Sequence, residues 1–576
     1  MINTHLEPIS IMEQPKMSGT EYLESVFGKR IDQPPSSIRG ILQTKDYDQF
    51  MILSDTGDLI YEFQGAKAAN KCFPGDHVAW IDDHCELELE LRDEHPLIVG
   101  TLELTSKSTY GMTKRKHLMY LFTPYDRKYP YFIVGSSEKD RSHNQIVLIT
   151  FEDWTVTFPR GSIQQTLGIS GNDQAEREAL IWQACPWKYP KYNYQPVLQS
   201  TAARTSLNGH TFHIDPEGCR DVDDAFTFEQ LDQGWQVTIT ISDVAAYVED
   251  GGGIDIMASL IGQTLYDNDG KVLRPMLPAE YSEKACSLLP GKDSHGISFQ
   301  FVWNGQSIQE KKWFHSVLRV NSSYTYEEFQ QSESPYKRPL CEIASHLAKE
   351  FVNDAHDWVA QMMILYNTEA GLLLKTSKQG ILRRHSAPNR EKLEKYKTHV
   401  PELEKLAFSS AEYCLAEEMD TQHYGLLTDT YAHASSPIRR YADLLNQRVL
   451  TLLIQGSGER FIVPQAMYDM NVRGKAIKRF ARDIDFLKAI QTGQTQFTGI
   501  IIDTVLLENN WVKIKVYVPT WKRMISTRYR SLSENVVLSR DETKEIDVTL
   551  YRNVHIHCAF SPNARNWKER VVVHLS

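Results

Sequence analysis

Cysteine is scarce in this 576-residue chain. Its eight thiols, at positions 72, 85, 185, 219, 286, 341, 414 and 558, are scattered and form no C-x-x-C pair. That spacing excludes a thiolate zinc site and a secreted disulfide framework, and points to reduced thiols inside a cell. Positive charge is also short: 63 Lys and Arg face 74 Asp and Glu, a net charge of -11. Non-specific attraction of the whole surface to a polyanion is thereby excluded, and a nucleic-acid partner would need a local positive lining. Nowhere do about 18 uncharged apolar residues follow one another, so no membrane span and no membrane partner is expected. The first residues, with His5, Glu7, Glu13 and Glu21, fit neither a secretory signal nor an acid-poor transit peptide. The expected location is intracellular and cytoplasmic.

What the chain does have is enough apolar content to fold. Apolar residues make up 41% and charged residues 24%, near globular averages, and at roughly 150 residues per domain the length suggests several domains. Residues 1–36 are polar and end in Pro34-Pro35-Ser36-Ser37, which reads as a flexible leader. From 37 to 95, short apolar stretches broken by Thr56-Gly57 and Pro74-Gly75-Asp76 predict a small antiparallel β-barrel. A second barrel is expected over 96–171, with LIVGTLEL, LMYLFTP, YFIVGSS and NQIVLITFEDW as its strands. Aromatics between Lys and Arg in TYGMTKRKHLMYLF and PYDRKYPYF suit base stacking on a single strand; as barrel core with a solvated charged rim they need no ligand, and that reading is favoured. Residues 172–490, a connector followed by strand-like runs and long helical stretches, predict a large mixed α/β core whose helices cover one side of a sheet. Alternation of Val512, Ile514, Val516 and Val518 with polar or bulky neighbours predicts a last barrel over 491–576.

Two runs carry chemistry. In IDPEGCRDVDDAF, residues 214–226, Asp215, Asp221, Asp223 and Asp224 crowd four acids together. Carboxylates so close repel and take up protons unless a cation neutralises them. All-oxygen donor sets favour Mg²⁺, with Mn²⁺ as a substitute, over Zn²⁺. Pro216 and Gly218 allow Asp215 to finish a strand and Asp221–Asp224 to form a turn facing it; a helical turn would put Asp221 and Asp224 on one face. The same acids also suit ordinary turn and cap positions. In YAHASSPIRRYADLLNQRVL, residues 431–450, Ser435-Ser436-Pro437 reads as a cap and first-turn proline, placing Arg439 and Arg440 in the first turns of a helix. Cations there oppose the helix dipole, which a bound phosphate would offset. Pairing with Asp443 or another acid is the alternative, favoured for the surface-facing arginine.

Together these runs resemble the RNase II / RNase R (RNB) family of processive 3′-5′ exoribonucleases, which includes the catalytic subunit of the eukaryotic exosome. The Asp-Pro followed by Asp-x-Asp-Asp stands as Asp215, Asp221, Asp223 and Asp224, and H-x-x-S-P-I-R-R-Y-x-D-L as His433 through Leu444. ISDVAAYV (241–248), RPMLPAEYSEKACSLLPG (274–291), Tyr324 and Tyr326, LRRHSAP (382–388), AEY and HYGL (411–426) are similar to family blocks in the same order.

The resemblance implies a multidomain α+β fold: an RNB-type catalytic domain flanked by OB barrels, two cold-shock-like before it and one S1-like after it. It implies a funnel for single-stranded RNA, and Mg²⁺-dependent in-line hydrolysis to nucleoside 5′-monophosphates. All four aspartates would ligate metal: Asp215, Asp221 and Asp224 would clamp two ions, and Asp223 would orient the ions or the terminal nucleotide. Arg439 would neutralise the scissile phosphate. Tyr266, Tyr326, His385, Glu412 and Arg440 would contact RNA, Glu412 through the terminal ribose. About 35 leader residues are too few for the exosome subunit's endonuclease domain, and no basic tail of the bacterial kind follows the last barrel. An exosome-like or other RNA-decay complex is the implied partner, and the chain is otherwise expected to be a monomer.

Overall fold

The computed structural model describes residues 38–54, 57–88, 96–200, 202–461, 463, 467–565 and 567–575. The expected leader, residues 1–36, and Thr56 of the expected turn lie outside the described residues.

The described residues up to 88 form one compact unit and those from 96 onward a second. In the first, β1–β5 (Ile38–Thr44, Gln49–Leu53, Leu59–Gln64, His77–Ile81 and His84–Leu87) make an antiparallel sheet ordered β3-β2-β1-β4-β5. Alternation turns Leu42, Phe50, Ile52 and Val78 inward, where Tyr61, Phe63 and Trp80 pack against them. The turn at Pro74-Gly75-Asp76 places Gly75 at φ +98°, open to glycine and strained for other residues.

The second unit begins with a closed barrel of β6–β10 (Ile98–Leu102, Leu118–Pro124, Phe132–Ser136, Gln145–Asp153 and Arg160–Ile169). Of its interleaved aromatics, Tyr120, Phe122, Tyr125 and Phe132 are core, as favoured, whereas Tyr110 and Tyr131 are exposed and depart from that reading. Helix α1 (Asp173–Ala184) follows, with Asn172 capping its N-terminus through the Ala175 N–H (3.1 Å).

The central sheet is built from β11 (Thr205–Ser206), β12 (His210–Asp215), β13 (Asp224–Gln230) and β14 (Trp235–Ser242). After α2 (Gly253–Ile261) and a small hairpin of β15 (Leu265–Tyr266) and β16 (Val272–Arg274), it continues with β17 (Asp293–Trp303), β18 (Ile308–Arg319) and β19 (Ser322–Thr325). Its order is β11-β18-β17-β14-β13-β12-β19. One face, carrying Phe212, Phe226, Phe228, Ile239 and Phe299, is covered by α3 (Tyr326–Gln331), α4 (Lys337–Ala348), α5 (Ala355–Ser377) and α7 (Tyr441–Gln455), as expected for helices on one side. Between α5 and α7 lie β20 (Ile381–Arg384), α6 (Arg390–His399) and β21 (Glu412–Leu415), with β20 and β21 paired antiparallel.

The long helix α8 (Met467–Gln491) packs on α1. It leads into a seven-stranded sheet of β22–β28 (Gln496–Leu506, Trp511–Val518, Arg523–Ser533, Val536–Leu538, Glu545–Asp547, Asn553–Phe560 and Val571–Leu575). All eight cysteines are free. Among the described residues, no helix is long and apolar enough to cross a membrane.

Candidate active site

Asp215 ends β12 and Asp224 opens β13, adjacent antiparallel strands, so the connection between them stays beside both acids. Gly218 turns that connection at φ +75°. The segment is not helical, a correction to the shared-face expectation for Asp221 and Asp224: Asp224 is already in the ladder opposite Ile241. Val222 is instead fully buried, its N–H donating to Ser287 Oγ (2.9 Å), which pins the turn from behind.

Each acid meets a different partner. Asp215 Oδ2 lies 2.8 Å from His213 Nδ1. Asp221 Oδ2 accepts from the Tyr266 hydroxyl at 2.8 Å, and its Oδ1 from Cys219 Sγ at 3.6 Å. Asp223 Oδ1 accepts the Ile438 N–H at 3.0 Å, across 215 positions of sequence, while its Oδ2 forms an ion pair with Arg439 Nε at 3.3 Å without hydrogen-bond alignment. Asp224 Oδ2 is buried with no hydrogen-bond partner. Burial is the main cause that raises Asp223 to about 7, against the pull of Arg439 and the Ile438 N–H. Asp224 is held well above the ordinary carboxylate range, by burial first and then by Asp215 and Asp223.

The arginine segment comes to this cluster as a loop. Helix α7 starts at Tyr441 with Arg440 as its N-cap residue, five positions after the expected cap at Ser435-Ser436. Ser436 O accepts the Arg439 and Arg440 N–H groups (3.2 and 3.0 Å), closing a turn, while a β-bridge between Gln263 and Arg440 and the bond from Thr264 N–H to Arg439 O (2.9 Å) hold Arg440 extended and outside the helix. Asp443, fully buried in the first turn, accepts the Ser436 N–H at 2.8 Å. Arg440 clamps Asp443 with two bonds, Nε to Oδ2 at 2.9 Å and Nη2 to Oδ1 at 2.7 Å. Those two nitrogens of its fork are committed to a buried carboxylate. Both arginines pair with an acid: the less exposed Arg440 with Asp443, and the surface-facing Arg439 with Asp223, the kind of pairing favoured for it. Arg439, 48% exposed, faces Asp223 and solvent.

The remaining candidates separate into near and far. Tyr266 touches the cluster through Asp221. Tyr326 lies close enough for Asp224 and Asp215, after burial, to raise its hydroxyl pKa, and its ring stacks on His356 (3.9 Å between centroids, 10° between planes). His385 is tied up on a separate hairpin: Nε2 reaches Ser409 O at 2.9 Å and Nδ1 accepts the Gly425 N–H at 3.1 Å. Glu412 accepts two bonds from Arg384, at 2.9 and 2.8 Å, yet its side chain stays 41% exposed. Sequence reasoning missed His213 and also Asn367, whose amide bonds Ser435 Oγ (3.0 Å) and Ala434 N–H (2.9 Å) to shape the arginine loop. Strand alternation from Asp215 was the one available pointer to His213.

Two carboxylates each with a buried oxygen that is unaligned or unpartnered, in an all-oxygen set, fit a hard divalent cation. The fit requires side-chain rotation, since among the described residues no three acidic, His or Cys side chains already converge as a metal cage.

Comparison with known proteins places this geometry. The RNB domain model matches residues 204–334 and 337–456, spanning both the acidic turn and the arginine loop. A model of the Dis3-like cold-shock domain 2 matches 119–184. Residues 204–456 thus carry an RNB domain. The chain is 22% identical over 455 residues to the human exosome complex exonuclease RRP44, covering 62% of this chain and 47% of that one. It spans about half the length of the curated relatives it matches first. By fold it is similar to Mycoplasma genitalium RNase R in complex with ribose-methylated single-stranded RNA, with TM-score 0.67 and 17% identity over 94% of this chain and all of that one. It is also similar to yeast Ssd1, described as a pseudonuclease, with TM-score 0.63 and 16% identity over 95% of this chain and 84% of that one. These likenesses give the fold: an RNB domain with OB-type barrels.

Proposed function

We propose that this RNB protein is a hydrolytic 3′-5′ exoribonuclease that shortens single-stranded RNA processively and releases nucleoside 5′-monophosphates. The observation that carries the reading is the meeting of the acidic turn with the arginine loop, where buried Asp223 and half-buried Asp224 each hold a buried oxygen without an aligned partner beside exposed Arg439. Such an arrangement is costly unless a cation and a phosphate complete it. Asp215, Asp221, Asp223 and Asp224 would hold Mg²⁺ or Mn²⁺. A bound cation would lower the pKa of an attacking water and stabilise the leaving 3′ oxygen. Arg439 neutralises the charge on the scissile phosphate. Tyr266 orients Asp221 through its hydroxyl. The likeness to an exosome-complex exonuclease makes an exosome-like or other decay assembly the partner to seek.

A second reading, an RNA-binding protein without turnover, is favoured by the similarity to a pseudonuclease and by acids that do not yet converge. Retention of all four acids, with Arg439 aimed at one of them, favours turnover. A 5′-labelled, unstructured oligoribonucleotide incubated with purified protein and Mg²⁺ decides between them: stepwise shortening supports the enzyme, and bound but intact RNA supports the binder.

A further inference from the structure

His213 has no place in the sequence motifs, yet its side chain bonds that of Asp215 on the same strand. Residues two apart on β12 share a face, and Nδ1 of His213 lies 2.8 Å from Asp215 Oδ2. The imidazole is 4% exposed and the carboxylate 16%. Its other nitrogen, Nε2, is buried with no hydrogen-bond partner. A buried ring kept for packing alone would be replaced at lower cost by an apolar side chain, and a ring kept for structure would bond through both nitrogens. Here the whole polar capacity of the ring is directed at one carboxylate oxygen.

We propose that His213 is a positioning residue for the cation site: its Nδ1–H donates to Asp215 Oδ2 and fixes the carboxylate plane, leaving the other oxygen for the metal. This rests on the reading of Asp215 as a cation ligand. Partners that orient a ligand in this way characteristically change metal affinity by about 10–100-fold when removed. Asn and Gln distinguish the two ring nitrogens, since the Asn amide sits near the Nδ1 position and the Gln amide near Nε2.

The test uses the full chain without RNA. Mn²⁺ binding to the wild type, H213N, H213Q and H213A is measured by electron paramagnetic resonance, with D224N defining the signal from this site and circular dichroism reporting folding. The Mg²⁺ concentration for half-maximal RNA cleavage is a second readout. The expected result is a loss of roughly 10-fold or more in Mn²⁺ affinity for H213Q and H213A, with H213N close to wild type and the Mg²⁺ requirement moving in parallel. Equal affinity in the wild type and all folded variants, or rescue by Gln in place of Asn, would overturn the role of His213 while leaving the cation site intact. A wild type whose Mn²⁺ binding equals that of D224N would overturn the cation reading and His213's role with it.

Discussion

Among the buried charged clusters of the second unit, two are finished to different degrees. Arg570 and Glu176 are both fully buried. Arg570 Nη1 meets both Glu176 oxygens at 2.7 Å, and the guanidinium also bonds the Tyr125 hydroxyl and Thr101 Oγ1. Glu176 in addition accepts the Gly171 N–H at 2.8 Å. That cluster ties the last residues of the chain to helix α1 and the closed barrel. In the acidic turn, by contrast, Asp224 Oδ2 has no partner and Asp223 Oδ2 has an unaligned one. Complete pairing serves architecture; an incomplete set of like charges, maintained at the cost of burial, is suited to a ligand.

The sharpest way to break this contrast is to neutralise one acid from the open cluster. Asp224→Asn should lower RNA cleavage by about 10³-fold while leaving the melting temperature equal or higher at pH 8, because a costly buried charge is removed. Loss of fold together with activity would show that Asp224 is structural. The closed cluster should respond in the opposite sense: Arg570→Met, which strands a buried carboxylate, should destabilise by about 3–5 kcal/mol in denaturant unfolding, with activity per folded molecule unchanged.

A smaller effect follows from pH. Burial raises Asp223 to about 7, so folding takes up a proton there; the stability linked to it is present below the ordinary carboxylate range and is lost as pH rises through about 7. The metal-free protein should therefore melt lower at pH 8.5 than at pH 6, and Mg²⁺ should raise the melting temperature more at pH 8.5, where it no longer competes with protons. An equal Mg²⁺ shift at both pH values would contradict the assignment. The smallest effect is expected outside both clusters. Arg319 and Asp293 pair at 2.9 Å with side chains 64% and 63% exposed, and removing that pair should change unfolding by less than about 1 kcal/mol.

Much of the fold was legible because apolar alternation is local. Four stretches of the second barrel read as strands and became strands. The fifth, Arg160–Ile169, was not among the strand candidates: its polar face, Gly161 and Gly168, and three register shifts against β9 blur the two-residue period. Helix α7 was legible but its start was not, since Ser435-Ser436-Pro437 has the local chemistry of a cap while the Gln263–Arg440 bridge and Asp443, both matters of tertiary contact, keep residues up to Arg440 out of the helix. At the site, the density of acids announced a cluster. That Arg439 faces it came from the family resemblance and not from spacing, since Arg439 and Arg440 are neighbours whose directions are set by the turn at Ser436 and the bridge at Arg440. His213 and Asn367 were hidden for a related reason: neither residue type signals a role until its partner is known.

The most direct measurement is the product ladder from a 5′-labelled oligoribonucleotide whose single-stranded 3′ tail extends from a short duplex, with Mg²⁺ or EDTA, for the wild type and Asp224→Asn. The account predicts shortening from the 3′ end with release of 5′-monophosphates by the wild type in Mg²⁺, and a full-length band in EDTA and with Asp224→Asn. Tight binding without shortening by the wild type, or shortening that survives in Asp224→Asn, would contradict it.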